Sequence, residues 1–169
     1  MGLPRKLKNF NLYNDGNSFM GVVAEFTQPK LMLAMEEWRG GGMLGPVKVD
    51  MGLQMLEAEF TVGGIVKQLM RQFGSARVDG VLMRLVGAYQ ADDGSGVDQV
   101  EIVMRGRYEE IDMGNAKPGE DTEHKIKAPL SYYKLSINGR VEIEIDMLNA
   151  VFLVDGTDRY AEIRGALGL

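Results

Sequence analysis

The chain contains no cysteine and a single histidine, His124. The first absence excludes a disulfide framework, a thiol nucleophile and any Cys-based zinc or iron–sulfur centre. The second means that a His–His metal site would have to be built between subunits. No apolar run approaches the ~18 residues of a membrane helix, and the N-terminus lacks the apolar core of a signal peptide. The expectation is therefore a chain with no membrane partner. Basic residues are also too few for a nucleic-acid reader: 19 Lys+Arg stand against 24 Asp+Glu, a formal charge of −5.

What is present fits one folded domain, residues 1–169. Charge is polarised along it. Residues 1–84 carry 10 Lys+Arg and 8 Asp+Glu, a net of +2, and residues 85–169 carry 9 and 16, a net of −7. Glycine, at 22 residues, is roughly twice the usual ~7%, without a matching excess of proline. That combination predicts many tight turns rather than disorder. The 12 methionines suit surfaces that repack against partners, because the unbranched thioether adapts to irregular shapes.

Most segments have strand character. Residues 19–27 are rich in Val and Phe and stop before Pro29, and a second strand is expected over 30–38. In 55–62, Leu56, Ala58, Phe60 and Val62 alternate with Glu57, Glu59 and Thr61, the period of a half-buried strand. Further strands are expected over 81–90, 99–108, 125–137 and 140–147. The last two are joined by Asn138-Gly139, a strong hairpin signal. Within 125–137 the apolar phase shifts from Ile126, Ala128 and Leu130 to Tyr133, Leu135 and Ile137, which predicts a bulge near Tyr132. In 140–147, Val141, Ile143, Ile145 and Met147 alternate with Arg140, Glu142, Glu144 and Asp146. Ile65, Val66, Leu69, Met70 and Phe73 fall at helical spacing before Gly74, and a C-terminal helix is expected to start at Asp158 as N-cap and run through Tyr160, Ile163 and Leu167. Two long loops are expected, 39–52 and 109–123. The first carries Met43, Leu44, Val47, Val49 and Met51, and so is expected to be ordered against a partner.

Signals for catalysis are weak. Residues 39–45, RGGGMLG, lack the Lys-Ser/Thr ending of a phosphate loop. The run 92–98, DDGSGVD, lacks the spacing and terminal Glu of a calcium loop and falls where two strands need a turn. His124 has no Ser or Cys motif to work with. Glu142 and Glu144 would lie ~6.6 Å apart on an open strand face, with nothing to separate their protonation. No cofactor, metal or catalytic residue is expected. An acidic strand face has a different use: it repels phosphate, so DNA can pass close by without sticking.

Several strands are apolar on both faces. Leu82 and Val86 oppose the set Val81, Met83 and Leu85, and Val103 opposes Val100, Ile102 and Met104. Two short helices cannot cover such a sheet, so neighbouring chains are expected to cover it and to pair its edges.

The stretches LPRKLKNFNLYNDG, WRGGGMLGPVKVDMGL, LEAEFTVGG, VEIVMRGRYEEIDMG, KPGEDTEHK, SYYKLSINGRVEIEID and AEIRGALGL keep one order over nearly the whole chain. In these the sequence resembles the major tail tube protein of contractile-tailed phages, of the type found in temperate enterobacterial phages. Tube proteins of R-type tailocins and the secreted tube of type VI secretion look like structural relatives. The resemblance implies a mainly β (α+β) fold, an antiparallel β-sandwich or open barrel with one flanking α-helix and a short C-terminal helix. It implies a non-enzymatic structural subunit, with hexameric rings stacked into a tube whose strands join around an acidic lumen that conducts DNA. Implied partners are further copies, the tail sheath protein, and baseplate, tail-terminator and tape measure proteins. The implied location is the virion, after assembly in the host bacterial cytoplasm. Expected lumen-facing residues are Glu142, Glu144 and Asp146, or else Glu57 and Glu59. Arg39, Gly40, Gly41, Gly42, Met43, Leu44, Val47, Val49 and Met51 are expected to bridge to another subunit. Leu3, Arg5, Lys6 and Lys8, with Tyr160, Ile163 and Leu167, are expected at contacts between rings. A type VI-like secreted tube and a monomeric β-barrel that binds a small ligand are the alternatives.

Overall fold

A computed structural model describes residues 2–169. The chain opens with β1 (Lys6–Asn14), where Leu12 and Asn14 are buried while Asn11 and Tyr13 lie on the opposite face. Asp15-Gly16 turns it into β2 (Asn17–Ser18), followed by β3 (Val23–Thr27). Next come β4 (Leu33–Trp38) and β5 (Val47–Leu53), which pair only with each other. Then follow β6 (Leu56–Val62), α1 (Lys67–Gln72), β7 (Val81–Gln90), β8 (Asp98–Gly106) and β9 (Glu110–Asp112). The chain ends with β10 (His124–Ile137), β11 (Arg140–Asp146), β12 (Val151–Val154), β13 (Thr157–Asp158) and α2 (Ala161–Ala166).

All pairings are antiparallel. The long sheet runs β13-β12-β11-β10-β8-β7-β1-β2, and β10 also carries β6 and β9, with β3 outside β6. The fold is thus mainly antiparallel β with two short helices.

The 14-residue β10 belongs to both parts. Its first half pairs with β6 (Ala128↔Ala58) and β9, and its second half with β8 and β11 (Tyr133↔Met104, Tyr133↔Ile145). The register breaks between Leu130 and Tyr132, where the apolar phase of the sequence placed a bulge. Gly106 lies against this bend. A Cβ there would meet the carbonyl oxygen of Pro129 at 2.2 Å, so the close approach of β8 to β10 admits only glycine. At the other end of β10, Asn138 (φ 50°) and Gly139 (φ 83°) form the tight turn into β11.

The bend folds β6 over the long sheet, and the core lies between. Phe60, Leu56, Ala58 and Val62 from β6 pack with Leu12, Met83, Met104, Ile126 and Ile145. Phe60 stacks with Phe26 and meets Tyr108 edge-on. Asn14 is fully buried yet bonded: its amide donates to the Tyr108 hydroxyl, and Gln68 Nε2 of α1 donates to Asn14 Oδ1 at 2.8 Å. Burial pushes the Tyr108 hydroxyl pKa well up, so it stays protonated as the partner of Asn14. This polar knot, with Leu69 in the core, fixes α1 beneath β1.

Three sequence expectations change. Residues 39–52 are not one loop: β5 occupies their second half, and the glycines form only the tip of a hairpin. The alternation in β11 is interrupted, because a second register shift sets Val141 opposite Ser136 and leaves Glu142 at the bulge. Asp158 does not cap α2. The N-cap is Tyr160, without a side-chain bond, while Asp158 accepts the Tyr160 amide at 3.0 Å and pairs with Arg164 Nη2 at 2.6 Å. Arg164 also donates to the Ala150 carbonyl at 2.9 Å, tying the helix back to the sheet.

Two outcomes follow. Gly106→Ala should lower stability by about 2 kcal/mol or more, the cost of forcing atoms into a filled site, read as a shift in denaturant midpoint. An unchanged midpoint would show that the bend relaxes freely. The Arg164 hydrogen bond, aided by the Tyr160 amide, holds the Asp158 carboxyl below its usual range. A depressed folded value gives stability that is present above the unfolded value of about 3.9 and lost as pH falls through the folded one. Amide exchange in α2, corrected for intrinsic rate, should therefore quicken at about pH 3 relative to about pH 6. Asp158→Asn should show the faster exchange at both. Equal protection in the native chain at both pH values would contradict this anchor.

Candidate assembly surfaces

The hairpin of β4 and β5 is an arm. Among the described residues it pairs with no other strand, and nearly all its residues are exposed. Trp38 stands opposite Val47, and Glu36 opposite Val49, so Trp38, Val47 and Val49 form one apolar face with Glu36 at its edge. At the tip, the Gly40 amide donates to Met43 Sδ at 3.0 Å, and the two flanking glycines let the chain turn tightly beside Trp38. Leu44 is 100% exposed. Trp38, Met51 and Met35 are 61%, 60% and 44% exposed. An isolated two-stranded hairpin is marginal in water. This one also displays its largest side chains to solvent, which a folded arm with no partner has no reason to do.

Arg39, Gly40, Gly41, Gly42, Met43 and Leu44 thus share the tip, and Val47, Val49 and Met51 share a strand running back from it. Trp38 and Met35 were not among the residues singled out from the sequence. The signal was available: Val47, Val49 and Met51 alternate as strand residues do, and a strand there needs a partner in the segment ending at Trp38.

The second surface is the outer face of the long sheet. The registers place Tyr13, Arg84, Val103, Lys134 and Glu144 in one row across it, and Asn11, Val86, Glu101 and Ser136 in another. Leu82, Val86 and Val103, the apolar residues that seemed surplus in the sequence, lie on this face. No element of the described residues covers it. Glu144 accepts a hydrogen bond from the Tyr132 hydroxyl, whose pKa is pushed up by burial and by that carboxylate. Asp146 accepts from the Leu148 and Asn149 amides at 3.0 and 3.1 Å, which closes the turn into β12. Glu142 lies 3.5 Å from Arg140. The stripe is not purely anionic, because neighbouring strands bring cations. Arg84 pairs with Glu101 at 3.0 Å and lies over the Tyr13 ring, and Lys134 stands directly opposite Glu144.

Glu57 and Glu59 lie elsewhere, on the outward side of β6, where Lys127 reaches Glu57 at 3.1 Å. They and the β11 carboxylates belong to different layers and do not form one patch.

The termini divide. Leu3 is exposed, but Arg5 pairs with Asp98 at 2.9 Å and Lys8 with Asp92 at 2.6 Å, which fastens the start of β1 to the β7–β8 turn. Lys6 is exposed at the first position of β1. The outer edge of β1 is open over most of its length, since β2 pairs only with Tyr13 and Asn14. Ile163 and Leu167 are exposed, and Tyr160 lines a groove at the arm's base. The Asp92 to Asp98 run is the β7–β8 turn, with Asp93 accepting the Ser95 amide. His124 is buried at the start of β10 opposite Val62.

Comparison with known proteins places the chain in a family. The model of phage tail tube protein FII matches residues 4–168. The tail tube protein of Escherichia phage P2 is 41% identical over 172 residues, covering 100% of both chains. The major tail tube protein of Serratia phage KSP20 is also 41% identical, covering 100% of this chain and 99% of its own. Among solved structures, the sheath/tube terminator of an extracellular contractile injection system (PVC) aligns with TM-score 0.59 at 9% identity, over 79% of this chain and 96% of that one. The sheath–tube complex of the same system gives 0.58 at 9% identity, over 79% and 91%. The baseplate of the anti-feeding prophage gives 0.52 at 12%, over 80% and 97%. At such identities these structures speak for the fold, which is that of the tube proteins of contractile injection systems. A small-ligand barrel is thereby set aside: the chain belongs to the phage tail tube protein FII family, as a structural component of the virion and not an enzyme.

Proposed function

We propose that the chain is the repeating subunit of the inner tube of a contractile phage tail, and that residues 1–169 act as one tail-tube domain. Copies assemble in the host cytoplasm into rings, six to a ring, that stack into a tube. The open edge of β1 takes a strand from the next copy, so that the long sheets of neighbours close around a lumen. Closure removes the exposed edges that a lone subunit leaves unpaired.

The observation that carries this reading is the arm. Its exposed Trp38, Leu44, Val47, Val49 and Met51 need cover that the chain does not supply, and a neighbouring copy supplies it. The sheath and baseplate named with the structural neighbours support a sheath around the tube and a baseplate at its end. A tail terminator and a tape measure protein complete the set. Sites between rings fall to the arm, to Leu3 and Lys6, and to the exposed side of α2.

The outer face of the long sheet is assigned to the lumen. There Glu142, Glu144, Asp146 and Glu101 stand among Arg84, Arg105 and Lys134, and Arg140 lies 3.5 Å from Glu142. Arg84 is already neutralised by Glu101. Such a face gives a sliding DNA backbone no free row of cations to bind, because affinity grows with the number of phosphates neutralised. Glu57, paired with Lys127 on the other layer, and Glu59, opposite Lys127 in register, are the weaker claimants.

Replacing residues 39–52 by a short Gly-Ser linker should leave a folded subunit that yields only monomers or single rings by negative-stain microscopy, where the unaltered protein yields tubes. Tubes of normal length from the shortened chain would end the bridging role of the arm. Changing Glu142 and Glu144 together to Lys, with Asp146 kept as the acceptor that closes the β11–β12 turn, should leave tubes intact but slow DNA ejection. Phage carrying the double change with ordinary infectivity would remove these residues from the lumen.

A further inference from the structure

The arm has a tip and, at its base, a socket. The groove at the base has a volume of about 490 Å³ and is walled by Leu33, Met51, Met147, Phe152, Tyr160 and Ile163, with Asp50, Asp146 and Arg159 also on its lining. Its walls are mainly aliphatic, methionine and aromatic. A concavity between Phe10 and Phe26 holds only about 50 Å³, and the wide one beside residues 112–125 is walled by polar loop. The tip presents Leu44, 100% exposed, next to Met43.

The chain cannot bring its own tip to its own socket. The six residues of β4, at ~3.3 Å each, hold the tip roughly 17 Å beyond the base. The paired strands prevent the arm from doubling back. A projection and a recess at opposite ends of one hairpin suit a head-to-tail contact, which repeats from copy to copy instead of closing a pair. Methionine at both sites, Met43 on the tip and Met51 and Met147 in the wall, lets the two surfaces adjust to one another.

We propose that the groove at the arm's base is the socket for the arm tip of a second copy of this chain, with Leu44 as the inserted side chain. This rests on the tube reading above and names what covers the arm. The socket includes α2, so it also gives Ile163 and Tyr160 their partner. The Asp158–Arg164 anchor then serves to hold one wall of the socket in place.

The absence of native cysteine makes the test direct. A chain carrying both Leu44→Cys and Ile163→Cys is assembled and oxidised, then run on a non-reducing gel. The expected result is a ladder of covalent multimers, with monomer alone from either single variant and from Leu44→Cys combined with Val97→Cys. Microscopy of the same samples separates the two levels of the claim. Tubes without a ladder would overturn the socket while leaving the tube reading in place, and a wild-type preparation that never forms rings or tubes would overturn the tube reading itself. A ladder from Leu3→Cys with Ile163→Cys, in place of one from Leu44→Cys with Ile163→Cys, would give the groove to the N-terminus and also overturn the proposal.

Discussion

Apolar surface in excess of what the chain can cover governs this molecule. Among the described residues, thirteen strands are accompanied by two helices of six residues each. One helix is used to close the core under β1, and the other leaves Ile163 and Leu167 in solvent. That leaves a hairpin with its apolar face bare and a long sheet covered on one side only. Burying a large apolar side chain is worth about 1.5–3 kcal/mol. Five such residues on the arm, Leu44 fully exposed and the others partly shielded, offer on the order of 5–10 kcal/mol on full cover. Association costs at least about 4 kcal/mol and often more. One arm contact would therefore hold a neighbour only weakly, whereas in the proposed assembly every copy gives and receives an arm and pairs strand edges. Cooperative growth into a tube is what that proposal predicts.

The strand that makes this possible is β10. It serves two layers, and the bend that lets it do so depends on Gly106 lying against Pro129. The bulge at the bend changes which residues face inward. That is why Lys127 points out beside Glu57 in one half while Lys134 points out beside Glu144 in the other. The arm leaves the body just before β6, and the groove at its base lies where β11, β12 and α2 meet. Their positions relative to one another are set through β10, to which β6 and β11 both pair.

Where a pattern was local and strongly periodic, the sequence was enough. Leu56, Ala58, Phe60 and Val62 announced β6, Asn138-Gly139 announced the β10–β11 turn, and the phase shift before Tyr133 announced the bulge. β1 was not legible, because its inward set ends in Asn14. Only the contacts with Tyr108 and Gln68, distant in sequence, make a buried amide tolerable there. β5 was misread because glycines bracket it, although Val47, Val49 and Met51 alternate. β12, with four residues, carries too little pattern to see. The carboxylates of β11 were legible as a stripe, but their electrostatic character was not. The cations that share the face come from β7, β8 and β10, and register across strands is not a property of any one segment. The apolar character of 39–52 was legible from composition, while the groove at the arm's base was not, since its walls come from four separate stretches of chain.

The central claim is that the arm is uncovered in the subunit and covered in the tube. Trp38, the only tryptophan in the chain, sits on that arm and is 61% exposed. Its fluorescence therefore reports on the arm alone. On going from dispersed subunits to assembled tubes, emission should shift to the blue and become shielded from a soluble quencher such as iodide. Emission and quenching that stay the same in tubes formed by the unaltered protein would mean that the arm remains in water, and would contradict the account.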